Sequence, residues 1–284
     1  MRRQLLHGAG LTRALLGAGT EVCDVRPPRR KSQLGKGKSD AIAEAAAAQT
    51  VLGIDVLSLL RPRPDGDRNA LRILLNARRS MEGQRTADRL ALTALAWTTA
   101  LGIDARKALT DTQIRTIIAW RQRAHGDRAD AVARAEARRL TLAVVRFTAE
   151  LENNKAALAQ IVADMAPGLL GVPGVGPVTW AVILTAYSHH GRIRSEATFA
   201  AIAGVNPIPA SSGNTVRHRL NRHGEGRLNQ GPDTIAGSRM SFDPDPRDYV
   251  ARRTQEGKTR REIRRCLKRI IGRQLYRKIN SIMP

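Results

Sequence analysis

Apolar residues recur along most of this chain at helical spacing. The longest such stretches run from Ala70 to Ala100 and from Ala129 to Ala163. In the second, Leu140, Val144, Phe147, Leu151, Leu158 and Ile161 follow one another in alternating steps, with Asn154 filling the intervening seam position. A seam of this kind predicts a coiled-coil arm, in which a buried polar residue fixes register at some loss of stability. An amphipathic helix packed inside its own domain has the same pattern over so few heptads. The first reading implies self-association. A further stripe, Ile263, Leu267, Ile270, Ile271, Leu275 and Ile279, gives the segment following Ala251 one packing face.

The N-terminal part reads differently. Leu11 to Ala18 predicts a short helix, and Thr20 to Val25 a strand ending at Arg26-Pro27-Pro28, half of an α/β unit. After a basic run with Lys36 and Lys38, which suits a solvated loop as well as a phosphate contact, an alanine-rich helix is predicted from Asp40 to about Leu52. Two prolines and a glycine in Arg61-Pro62-Arg63-Pro64-Asp65-Gly66-Asp67 break the chain. The reading is a mainly α protein in three parts: 1–62, a helical arm over 63–160, and a helical domain over 161–284.

Charge narrows the partner. The 48 Lys and Arg against 25 Asp and Glu leave +23 on 284 residues, a surface that attracts polyanions. A basic packing protein without chemistry has the same balance. Ala251 to Arg273 alone holds ten basic residues and two acidic ones. A basic amphipathic helix also suits a membrane surface, but the arginines elsewhere favour nucleic acid. With only three Trp, three Tyr and three Phe, the cores must be aliphatic. Cys23 and Cys266 lie far apart without metal-ligand spacing and read as free thiols of a cytoplasmic protein. His7 and Arg13 interrupt the apolar run that a signal peptide needs, and no apolar stretch is long enough to span a bilayer.

Candidate chemistry lies between Leu170 and Gln230. Pro173-Gly174-Val175-Gly176-Pro177 opens an apolar helix, as in a helix-hairpin-helix, where backbone N–H groups at a helix start bind a phosphate oxygen. Gly174 and Gly176 allow the close approach, and Pro177 suits the first helical position. A plain structural turn has the same composition. Downstream, Ser211-Ser212-Gly213 is a common turn sequence that also presents a hydroxyl nucleophile. Arg217, Arg219, Arg222 and Arg227 follow it, and His218 and His223 read as solvent-exposed or phosphate-contacting residues, with proton transfer as the alternative.

These blocks, with Phe199-Ala200-Ala201-Ile202-Ala203-Gly204 and His223-Gly224, resemble the C-terminal domain of insertion-sequence one-ten family transposases, relatives of the Piv DNA invertases. Tyr249 to Lys278 resembles that family's closing segment. Gly8-Ala9-Gly10-Leu11, Val22 to Arg30 and Gly37-Lys38-Ser39-Asp40 resemble part of its RuvC-like (RNase H-like) N-terminal domain. The resemblance implies a truncated RuvC-like α/β remnant over 1–62, Ser212 as the family serine, Mg²⁺ held by clustered carboxylates, and DNA recombination directed by a structured guide RNA. A bacterial, nucleoid-associated location is expected with it, while the expected homo-oligomer follows from the seam around Asn154 and the expected lack of a membrane partner from the short apolar runs. Nucleic-acid contacts are expected from Gly174, Gly176, Arg217, Arg219, Arg222 and Arg227, and from Arg260, Arg261, Arg264 and Arg265 on the basic helix.

The acidic pattern departs from the family. The first acidic strand aligns upstream of Met1, Arg2 falls where the second carboxylate is expected, and the Asp-x-x-Asp element reads Asp40-Ala41-Ile42-Ala43. Asp40 is thus the one metal ligand and acidic catalytic residue expected, with Glu44 a helical turn away. A lone carboxylate does not hold two catalytic Mg²⁺ ions. Two readings follow: a transposase whose strand exchange is impaired, or a non-catalytic nucleic-acid-binding protein derived from one.

Overall fold

A computed structural model describes residues 9–25, 40–63, 65–121, 127–206, 208–209, 218–219, 221 and 224–283. The helices are α1 (Ala9–Gly17), α2 (Asp40–Leu52), α3 (Asp67–Thr98), α4 (Asp111–Ile118), α5 (Arg128–Met165), α6 (Pro177–Tyr187), α7 (Glu196–Ile202), α8 (Gly226–Phe242), α9 (Pro244–Gln255) and α10 (Arg260–Ile282). Two short strands, β1 (Ile208–Pro209) and β2 (His218–Arg219), form an antiparallel hairpin. The mainly helical architecture agrees with the sequence. None of the described helices is long and apolar enough to cross a membrane.

The chain divides into two compact units. The smaller comprises Met1–Pro64 and Ser188–Arg194. In it, the strand predicted over Thr20 to Val25 is reduced to a single bridge, with the Asp24 N–H donating to Leu60 O at 2.7 Å. A strand needs neighbours to satisfy its backbone groups, and the described residues supply only that one. Arg192 ties the unit together by donating to Asp24 Oδ2 at 3.1 Å and Arg61 O at 3.0 Å.

The larger unit comprises Asp65–Tyr187 and Ser195–Pro284. Its base is an antiparallel pair of long helices. Asn154 Nδ2 on α5 donates to Leu74 O on α3 at 3.1 Å, and Arg78 on α3 donates to Leu151 O at 3.0 Å. Further along, Leu92 and Ala96 cluster with Ala133, Ala137 and Leu140. The seam residues Leu140, Val144, Leu151, Asn154 and Leu158 are therefore buried against α3 of the same chain. That filling matches the alternative of a helix packed within its own chain: 3.5-residue periodicity marks a helix pair but not whether the partner belongs to the same chain.

Between these helices, α4 opens with a full capping box. Thr110 Oγ1 accepts from the Gln113 N–H, and Gln113 Oε1 accepts from the Thr110 N–H at 2.8 Å. Helix α6 lies on both α3 and α5 and buries Trp180, Ile183, Leu184 and Tyr187. It is fixed by Arg68, which donates to Thr185 O at 3.2 Å.

The basic C-terminal segment is two helices rather than one. Gly257 takes φ +81, a left-handed conformation natural to glycine, and ends α9, while Lys258 N–H donates back to Arg253 O at 3.1 Å. Thr259 and Glu262 then form the capping box that starts α10. The predicted stripe on α10 packs through Ile263, Leu267, Ile271, Leu275 and Ile279, whereas Ile270 remains 38% exposed. Helix α10 rests on α7, α8 and α9.

Candidate nucleic-acid interface

A run of tight turns joins α5 to α6. The Val172 N–H donates to Leu169 O at 3.1 Å and the Val175 N–H to Val172 O at 3.2 Å, with Leu169 and Val175 buried as anchors. Between the anchors, Gly174 is exposed and has φ +75, where a side chain costs about 1–2 kcal/mol. Gly176 is also exposed, and its carbonyl accepts the first bond of α6 from the Trp180 N–H at 3.1 Å. Pro177 occupies the first position of α6, where no N–H is needed. The early N–H groups of α6 have no intrahelical acceptor, and the helix dipole adds partial positive charge at the same end.

Arg239 of α8 stands over this loop. Its Nη2 donates to Pro173 O at 3.1 Å and its Nη1 to Gln274 Oε1 at 2.9 Å. A Cβ built on Gly174 would lie 3.7 Å from its Nε. Both acceptors are neutral, so the cation stays available to an external anion. Sequence reading missed Arg239 because nothing local marks it: it acts on a loop 66 residues away.

The other expected basic contacts are scattered. Arg219 is exposed on β2. Arg227, in the first turn of α8, donates to Asn76 Oδ1 at 3.0 Å. Arg260 and Arg261 are exposed on α10, and Arg265 is half-buried there. Arg264 is ion-paired with Asp233 at 2.7 Å, which neutralises part of the charge expected of it. On neighbouring α9, Arg253 bonds both Tyr249 and Glu256, and these contacts raise the Arg253 pKa and lower that of Glu256. Ser211, Ser212, Arg217, Arg222 and His223 lie outside the described residues.

The neck of the serine-bearing segment is described. Asn221 Nδ2 donates to Asn206 Oδ1 at 2.6 Å, and the Glu225 N–H donates to Ile202 O at 2.8 Å. Gly204, at φ +65, and Gly224 are pressed backbone to backbone, so that a Cβ on Gly224 would fall onto the Gly204 Cα and N atoms. Asn229 clamps the same point by donating to Ala203 O at 2.8 Å and Gly204 O at 3.1 Å. Buried Lys268 then holds Asn229 Oδ1 at 2.7 Å and Asp233 at 3.3 Å. Sequence reading did not foresee this chain of contacts, since Asn229 and Lys268 are 39 residues apart.

Asp40 opens α2, but its side chain lies outside the description; Glu44 is exposed. Among the described residues, no group of three or more His, Cys, Asp or Glu is arranged to hold a metal ion.

No curated protein matches the chain. A family comparison, however, covers the elements just described, from the end of α5 through the glycine loop, the neck and α8 into α9. Residues 166–251 match the family described as Transposase IS116/IS110/IS902 family, so this segment of the chain is similar to an insertion-sequence transposase domain.

Proposed function

We propose that the chain binds nucleic acid as an insertion-sequence transposase. The glycine loop and the start of α6 hold a backbone phosphate in helix-hairpin-helix fashion. The observation that carries this reading is Arg239, held by two neutral acceptors over an exposed glycine loop at a helix N-terminus. On this reading, the backbone N–H groups and dipole at the start of α6 and the guanidinium beside the loop act together on one phosphate. The partners in this proposal are element and target DNA and a structured guide RNA, met at the bacterial nucleoid. Ser212 is the nucleophile. Strand exchange is impaired because Ala43 stands where the acidic partner of Asp40 belongs.

The test is titration of duplex DNA and hairpin RNA over a salt series. Wild type should bind with a steep negative salt dependence. Arg239→Gln should lose several-fold affinity and flatten the log–log slope by about one, as for one lost phosphate contact. Binding indifferent to salt would overturn the proposal, and unchanged binding by Arg239→Gln would remove the loop from it.

For self-association, we propose a second copy on the outer face of α3. Leu90 and Trp97 are 66% and 64% exposed there. No charged residue occurs from Leu90 to Ile103, so two copies of a +23 chain can approach at that face without opposing like charges.

A further inference from the structure

Beyond the glycine loop, the larger unit holds a second concentration of guanidinium groups. Arg269, Arg273 and Arg277 are spaced by four residues along α10 and meet Glu196, in the first turn of α7. Arg273 Nε lies 2.7 Å from Glu196 Oε1, Arg269 Nη2 lies 3.5 Å from the same oxygen, and Arg277 Nη2 lies 3.4 Å from Oε2. Only the Arg273 contact is tight. Three guanidinium groups bring about fifteen N–H donors to a carboxylate with about four lone-pair sites. The cluster is short of acceptors and retains positive charge. Arg269 Nη1 shows the shortage directly, being shielded from solvent without any acceptor.

The cluster is also open on one side. Glu196 lies low, with its side chain 24% exposed, while Arg273 and Arg277 are 51% and 76% exposed above it. The carboxylate thus gathers guanidinium groups that would otherwise spread apart by mutual repulsion, and their outer edges face solvent. Planar guanidinium edges of this kind match the paired oxygens of a phosphodiester. The contrast with Arg264 is informative: that arginine shares Asp233 with Lys268, one carboxylate for two cations rather than three.

We propose that Arg273 and Arg277, gathered by Glu196, form a second binding site for a nucleic-acid phosphodiester. The site lies outside the 166–251 segment in its arginines and inside it in its carboxylate. This inference rests on the nucleic-acid reading above and extends it from the glycine loop to α10.

The test compares the full chain with an Arg273→Gln/Arg277→Gln double variant and with Glu196→Gln. Duplex DNA and hairpin RNA are titrated separately over a salt series. The double variant should flatten the salt slope by about two for whichever nucleic acid the site takes. Glu196→Gln should bind that same probe more tightly, by roughly a few-fold, because its amide oxygen still accepts from Arg273 and the incoming phosphate supplies the negative charge that the variant lacks. The opposite directions separate the site from unfolding, which weakens both variants. A change with DNA alone, RNA alone or both supports the site and identifies its source of phosphate. Unchanged slopes with both probes, including the case in which the double variant merely loses stability to urea, overturn it and show a structural knot between α7 and α10. If wild type itself fails to bind, the proposed function falls along with this inference; if wild type binds and the double variant matches it, only this inference falls.

Discussion

Gly174, Gly176 and Gly224 look alike in the sequence, yet the structure asks something different of each. Gly224 is demanded by contact, because a methyl group there collides with the Gly204 backbone, which cannot swing aside as a side chain can. Gly174 is demanded by conformation, at φ +75. Gly176 has neither constraint: a Cβ there meets nothing within 4 Å. We therefore expect urea denaturation to rank the alanine variants. Gly224→Ala should lose about 1–3 kcal/mol through overpacking and Gly174→Ala about 1–2 kcal/mol through left-handed strain. Gly176→Ala should stay within roughly 0.5 kcal/mol of wild type. A Gly224→Ala protein as stable as wild type would contradict the contact described. Sequence reading singled out the first two glycines for phosphate approach, and it had no means of separating a collision from a dihedral. The partner of Gly224 lies twenty residues away at Gly204, beyond the reach of any local pattern.

At the scale of elements, the legible part was the set governed by periodicity. Helices α3 and α5 occur within a few residues of where their apolar spacing puts them. The break between α9 and α10 was also written locally, in Gly257 and in the Thr259-x-x-Glu262 signature, but the longer basic pattern masked it. What periodicity cannot carry is the identity of a partner helix. Asn154 illustrates this: its Nδ2 reaches Leu74 O, while its Oδ1 is buried without a donor. An unmade buried hydrogen bond costs about 1–3 kcal/mol, comparable to what the made one contributes. Asn154→Val should consequently fall within about 1 kcal/mol of wild type, whereas Asn154→Asp, which turns an acceptor and a charge towards Leu74 O, should lose about 3 kcal/mol or more. Because the seam is filled within the chain, light scattering should give the same mass for Asn154→Val as for wild type. Trp97→Glu should shift the mass downward if the outer face of α3 pairs copies. A mass that follows Asn154 instead of Trp97 would return the seam to an intermolecular role.

For the whole molecule, the neck at Gly204 and Gly224 has a consequence for how the chain tolerates change. Asn206 with Asn221, Asn229 with the Ala203 and Gly204 carbonyls, and Lys268 behind them close the segment 207–220 at its base. With the ends of the segment held by groups outside it and β1 paired with β2, length added between the strands costs loop-closure entropy of about 0.6 kcal/mol for each doubling. A Gly-Ser-Gly-Ser insertion after Gly213 should therefore leave the urea midpoint nearly unchanged. The same insertion between Ile202 and Ala203, which pulls the glycines apart, should unfold the larger unit. Equal loss of stability from both insertions would show that the neck does not isolate what it encloses. If it does, the serine-bearing stretch is an interchangeable cassette: segments of different length and sequence can be exchanged between related chains, and so be selected for chemistry, with the supporting helices left as they are.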